Sequence, residues 1–198
     1  MQKIISVFQR NYDGNRQIRD EVVPGAEWVL AGEGVATRKF DGTCCMVRDG
    51  KLYKRYEVKK GGKAPAGFEP ASEIDPVTQK VQGWLLVGDG PEDQWHRQAW
   101  VNQFGPEGRL ADWTYELCGP KVQGNPEQEY VEREVGAPMH LLIPHGKCLY
   151  ADTPRQFEPL KLWLAERNIE GVVFHHADGR MAKVKLRDYG LSRSKPAK

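Results

Sequence analysis

Apolar and polar residues exchange along this chain with two periods, and each period marks a kind of element. Residues 25–30 and 34–40 read as strands that feed a turn at Asp41 and Gly42. Residues 43–48 and 51–58 flank Asp49-Gly50, a pair that predicts a two-residue hairpin turn because both central residues need positive φ. Residues 59–75 are rich in Gly, Pro and Lys and read as a surface loop, and 83–87 read as a short apolar strand. Over 93–104 the period becomes helical, with Trp95, Ala99 and Trp100 along one side and a stop at Gly105. A strand at 113–118, a loop of Gly, Asn and Pro, and an apolar strand at 139–143 follow. The spacing predicts a second helix over 154–167. Thr153 is placed to cap it, Pro154 suits its first turn, and Phe157, Leu160, Trp163 and Leu164 form one apolar stripe. The chain closes on strands 169–174 and 181–186 around Asp178-Gly179. Many hairpins with few helices predict an α+β fold on antiparallel sheets.

Composition narrows the class of protein. The 198 residues suffice for one domain with a sizeable core, expected over 1–190 with a basic tail at 191–198. No apolar run approaches the roughly 20 residues that span a bilayer, and residues 1–10 lack a signal peptide's apolar stretch. The expectation is a cytoplasmic protein with no membrane association. A net charge of +2 excludes a polycation that coats nucleic acid indiscriminately, yet Lys and Arg are dense over 38–63 and 180–198, so a locally basic groove is expected. The four cysteines form no CxxC pair and, with the five histidines, no zinc spacing; they read as buried free thiols.

Candidate chemistry gathers at the last hairpin. With a two-residue turn at Asp178-Gly179, Phe174 faces Lys183 and Val172 faces Lys185. Glu170, Lys183 and Lys185 then share one face while Ala182, Val184 and Leu186 take the other. A carboxylate with two lysines is an inventory that holds a metal and a polyphosphate, although taken alone it reads more readily as a solvated hairpin face. Lys39-Phe40-Asp41-Gly42 adds a nucleophile. An unperturbed lysine has a pKa of about 10.4, so roughly one in a thousand is neutral near pH 7. Neighbouring cations such as Lys183 and Lys185 would lower that value.

The order of four segments carries more than any one of them. Lys39-Phe40-Asp41-Gly42, Tyr115-Glu116-Leu117-Cys118-Gly119, Glu170-Gly171-Val172-Val173 and Lys183-Val184-Lys185 resemble the covalent nucleotidyltransferase superfamily of ATP-dependent ligases and GTP-dependent capping enzymes. Residues 91–96, 115–120, 124–127 and 142–146 are similar to the small 5′-to-3′ RNA ligase family that includes a vertebrate RNA ligase. The resemblance implies a nucleotidyltransferase domain with two antiparallel sheets around an ATP cleft. It implies use of ATP with Mg2+ or Mn2+ to join RNA 5′-phosphate and 3′-hydroxyl ends. RNA guanylyltransferase, DNA ligase and a non-catalytic RNA-end-binding relic are the alternatives.

Residue roles follow from the same resemblance. Lys39 takes AMP as a phosphoramidate and Asp41 supports the turn that presents it. Arg55 contacts sugar or phosphate, Glu116 holds the ribose hydroxyls, and Glu170 binds the metal. Lys183 and Lys185 clasp the phosphates. An ideal hairpin about Asp49-Gly50 sets Arg55 on the face opposite Lys39, so its role requires a bulge near Gly42. His140 is placed either to stack on adenine or as an ordinary strand histidine. His175 and His176, adjacent on a strand, point to opposite faces and make a poor metal pair. Trp84, Trp95 and Trp100 read as core.

Overall fold

The computed structural model describes residues 4–104 and 110–194. In chain order its elements are β1 (Ile5–Ser6), β2 (Phe8–Arg10), β3 (Ile18–Val22), α1 (Glu27–Leu30), β4 (Val35–Lys39), β5 (Thr43–Arg48), β6 (Lys51–Val58), β7 (Glu69–Pro70), β8 (Val81–Leu86), α2 (Gln94–Phe104), β9 (Trp113–Cys118), α3 (Gln128–Val135), β10 (Leu141–Pro144), α4 (Phe157–Ala165), β11 (Gly171–His175) and β12 (Met181–Lys185). They form two compact units. A terminal unit comprises Ile4–Phe40 and the chain from Gly146 onward, and a central unit comprises Asp41–His145.

The terminal unit carries a four-stranded sheet in the order β1-β12-β11-β4 and a β2-β3 ribbon. Its apolar stripe from α4 (Leu160, Trp163, Leu164) packs with Phe8, Trp28, Val172, Phe174 and Val184 into one core. The central unit carries a six-stranded antiparallel sheet in the order β10-β9-β5-β6-β8-β7. Cys45, Val47, Leu52, Tyr115, Leu117 and Leu142 form its core with Ala99 of α2, and Trp95 and Trp100 pack against them. The α+β expectation holds, with one parallel pair, β1 with β12, among antiparallel ones. Among the described residues no helix is long and apolar enough to cross a membrane.

Two identical dipeptides make different turns. Asp49 and Gly50 both take positive φ, 51° and 68°, and close the predicted two-residue hairpin with Arg48 opposite Lys51. At the last hairpin only Gly179 does so, at 92°. The His176 N–H donates to Arg180 O, so the loop has three residues and ends on a left-handed glycine. The pairing predicted for this hairpin is therefore shifted by one: Val173 lies opposite Lys183 and Gly171 opposite Lys185. Val172 and Phe174 turn to the core with Ala182 and Val184.

Other departures have local reasons. Within residues 25–30 the chain forms the short helix α1, Glu27–Leu30, and no strand; an apolar run this short does not separate the two by period. Helix α4 starts at Phe157, not at Pro154, with Gln156 as its N-cap residue. A helix begun at 154 would set Pro159 in its interior, whereas a start at 157 leaves Pro159 in the first turn, where no N–H is needed. The Thr153 hydroxyl donates instead to Tyr150 O at 2.9 Å. The Gly/Asn/Pro loop contains helix α3, which stops at Gly136 in the left-handed region. In the tail, Arg193 Nη2 donates to Asn168 O at 2.9 Å, so this part is docked, not frayed. The predicted helix stop at Gly105, residues 1–3 of the N-terminal stretch and 195–198 of the tail lie outside the described residues.

Candidate active site

In the terminal unit three strands bring the sequence-predicted cluster together. Gly171 of β11 lies opposite Lys39 on β4 and Lys185 on β12, so one row reads lysine, glycine, lysine. A side chain at 171 would collide with the backbone, since a Cβ there would stand 2.1 Å from Val184 O. Glu170, just before β11 and 7% exposed, fills the gap between the lysines. Its Oε2 accepts from Lys39 Nζ and its Oε1 pairs with Lys185 Nζ, both at 2.6 Å. Burial opposes ionisation of the Glu170 carboxyl, but Lys39 and Lys185 outweigh it and hold the group below its ordinary value. Lys183, opposite Val173 and Ser6, makes the third cation. Burial, reinforced by Lys185 and Lys39, lowers its ammonium to about 8. Glu170 thus meets both lysines by a route other than the expected one. Its carbonyl accepts from the Leu186 N–H at 2.8 Å, so the pairing reaches it, yet its side chain lies with the lysines and not with the core.

The central unit begins with the turn that follows Lys39. The Asp41 N–H donates to Glu127 Oε1 and the Gly42 N–H to Glu116 Oε1, each at 3.1 Å, and both carboxylates are buried. A Cβ at Gly42 would lie 2.1 Å from Leu117 O, so only glycine admits this approach of β5 to β9. Cys44 pairs across the strands with Glu116. His145, just past β10, presents Nε2 to Glu116 Oε2 and Nδ1 to Thr114 Oγ1, both at 2.9 Å. Glu127, His145 and Cys44 were not among the predicted site residues. Glu127 and His145 lay inside segments quoted for the family likeness, which was the available signal; no local spacing joins Cys44 to His145.

Arg55 sits on β6 opposite Trp84, its guanidinium 5.0 Å from that ring's centroid and its Nε donating to Gln82 Oε1 at 3.2 Å. The β5–β6 pairing runs in regular register from Arg48–Lys51 to Cys45–Lys54. Burial lowers the Arg55 guanidinium, and the charge of Cys44 is the influence that offsets it. His140 stacks on Trp95 at 4.8 Å with a 16° interplanar angle, and its Nε2 accepts from the Lys121 N–H. The ordinary-histidine reading of that position describes what is observed. His175 Nε2 meets Thr37 Oγ1 while His176 Nε2 meets Glu33, so the pair diverges as expected. Trp84 is buried, and Trp95 and Trp100 lie against the core.

Comparison with known proteins agrees with the motifs. Residues 95–197 match the RNA ligase 1 family, a span that includes Glu116, Glu127, His145, Glu170, Lys183 and Lys185. RNA ligase 1 of Mus musculus is 28% identical over an alignment of 222 positions that covers 79% of this chain and 67% of the mouse protein. RNA ligase 1 of Rattus norvegicus is 27% identical with the same coverage. RNA ligase 1 of Danio rerio is 33% identical over 90 positions, 43% of this chain and 27% of its own. The relatives are RNA ligases by name. The chain belongs to the RNA ligase 1 family.

Proposed function

We propose that this chain is an ATP-dependent 5′-to-3′ RNA ligase that works through AMP bound covalently to Lys39. The observation that carries the reading is the buried carboxylate of Glu170 with Lys39 on one oxygen and Lys185 on the other, beside Lys183. Three cations to one anion give a net positive cluster suited to a polyphosphate. One of its lysines already lies near neutrality.

The reaction runs in three steps. Lys39 loses a proton, its amine attacks the α-phosphorus of ATP, a P–N bond forms and pyrophosphate departs. A terminal 5′-phosphate of RNA then displaces Lys39, the P–N bond breaks, and AMP is joined to that phosphate. A 3′-hydroxyl finally attacks the activated phosphorus, giving a phosphodiester and free AMP. Lys183 and Lys185 neutralise charge that develops on the phosphates. Asp41 and Gly42 form the turn after Lys39, held by Glu127 and Glu116. Arg55 and Glu116 are assigned to the sugar and phosphate of the nucleotide. Mg2+ or Mn2+ commonly binds through one carboxylate plus substrate phosphates, and Glu170 would be that carboxylate once a lysine pair to it is released. Such a cation would supply further neutralisation of phosphate charge.

The test is covalent labelling. Incubation with labelled ATP should give an acid-labile adduct that maps to Lys39, labelled GTP should give none, and Lys39→Ala should remove the label from a folded protein. Normal labelling of that variant, or preference for GTP, refutes the reading.

A further inference from the structure

Outside the lysine cluster, the central unit assembles a different donor set. The ligand atoms of Cys44 Sγ, a Glu116 carboxylate oxygen and a His145 ring nitrogen all lie within 4.8 Å of one another. Three strands and a turn place them. Cys44 and Glu116 are cross-strand partners on β5 and β9, while the His145 N–H donates to Thr114 O and so fixes its residue beside the same face. We propose that Cys44, Glu116 and His145 form a binding site for a borderline-soft transition metal, Zn2+ by its chemistry, separate from the hard-cation role assigned to Glu170.

The chemistry of the donors selects the metal. Thiolate and imidazole favour Zn2+ over Mg2+, which takes oxygen ligands. In a tetrahedral zinc site neighbouring donors stand roughly 3.3–3.6 Å apart, from bond lengths of about 2.0–2.3 Å. Here Glu116 Oε2 and His145 Nε2 are already 2.9 Å apart. Thr114 Oγ1 holds His145 Nδ1 at 2.9 Å, the outer-shell partner that orients a ligating imidazole and leaves Nε2 toward the metal. Glu116 Oε1 holds the Gly42 N–H, which leaves Oε2 as the donor. Binding replaces the thiol proton, which passes to solvent. Three protein ligands leave a fourth position open.

Occupancy would have a consequence that rests on the role of Glu116 proposed above. A carboxylate oxygen bound to metal is withdrawn from a ribose hydroxyl, so Zn2+ should slow self-adenylylation. The site is thus an inhibitory one.

Co2+ added to the full, chelator-treated chain is the direct probe. One equivalent should give thiolate-to-cobalt charge-transfer absorption together with visible bands of low coordination number, and Zn2+ should bleach both. Cys44→Ser should abolish the thiolate band and His145→Ala should weaken binding tenfold or more, while Cys148→Ser, a control outside the donor set, should keep the band. Circular dichroism checks that each variant is folded. A spectrum without thiolate absorption, or one unchanged by Cys44→Ser, overturns the proposal. In a separate arm, Zn2+ should reduce ATP labelling tenfold or more in the unaltered chain and not in Cys44→Ser. Cobalt binding as described with labelling unaffected by Zn2+ supports the metal site and instead rejects the ribose role of Glu116.

Discussion

Replacing Glu170 with Gln keeps its shape and removes the negative charge that Lys39 and Lys185 share. Each 2.6 Å pair is worth roughly 6 kcal/mol of Coulomb attraction at an effective dielectric of 20, before the several kcal/mol per ion lost on desolvation. Breaking a buried pair by removing one partner commonly costs about 3–5 kcal/mol. The lower end applies, because the Lys39 and Lys185 side chains are 19% and 14% exposed and can shift toward water. A loss of about 3 kcal/mol at pH 7 is expected. The sign with pH is fixed by the lowered Glu170 value. The contribution is fully present above the ordinary glutamate pKa of about 4.3 and is lost as pH falls through the lower folded value. Native-state hydrogen exchange of β11 and β12 amides reads the loss within the terminal unit. Combining Glu170→Gln with Lys185→Met should recover part of it, since a stranded cation is then removed. A loss under about 1 kcal/mol, or no coupling to Lys185→Met, would refute the claim that burial makes this carboxylate indispensable.

Lys183→Met should abolish ATP labelling yet stabilise the terminal unit by about 1–2 kcal/mol at pH 7, because the lowered ammonium is a stability cost. In the unaltered chain that cost disappears as pH rises from about 8 toward 10.4, so its stability should climb there while the variant's stays level in exchange measurements. Gly42→Ala should reduce labelling at least tenfold and lower the unfolding midpoint in urea, since its Cβ would stand 2.1 Å from Leu117 O; unchanged labelling would show that the turn is tolerant. Lys59, Lys60 and Lys63 are exposed, and replacing all three with Ala should harm RNA sealing more than labelling, with binding that weakens steeply with salt. Equal loss in both assays would show that the loop is misassigned to RNA.

How much was legible depended on whether a signal was local. The Asp49-Gly50 hairpin and β9 follow from alternation within a few residues. The row of Lys39, Gly171 and Lys185 was reached through ordered motifs, whereas its geometry depends on a sheet edge that sequence leaves open. Asp178-Gly179 shows the limit: the same dipeptide as the first hairpin makes a longer turn, and a one-residue shift follows. Glu170 still meets both lysines at the end of the ladder, where its carbonyl accepts from the Leu186 N–H. Strand β1, two residues long and parallel to β12, carries no periodic signal at all. Helix α3 carries a faint one, in Tyr130 and Val131 ahead of Gly136, masked by the Gly, Asn and Pro before it. Cys44 and His145 meet only through the order β10-β9-β5, which no spacing rule contains.

The lysines of the cluster stand in different settings. Burial, with Lys185 and Lys39, lowers the Lys183 ammonium to about 8, while Lys39 is bonded to a carboxylate at 2.6 Å. An ion pair of that length favours the charged form, and a charged amine has no lone pair to attack phosphorus. Lys39 therefore becomes a nucleophile only after its bond to Glu170 is broken and a proton is lost. Anything that draws Glu170 away leaves Lys39 beside two other cations without that carboxylate's charge, a condition that favours loss of the lysine's proton. Glu170 is then a restraint on the nucleophile as well as a ligand for its substrate's charge. Gly171 makes the restraint possible, because any side chain between Lys39 and Lys185 would keep them from sharing one carboxylate.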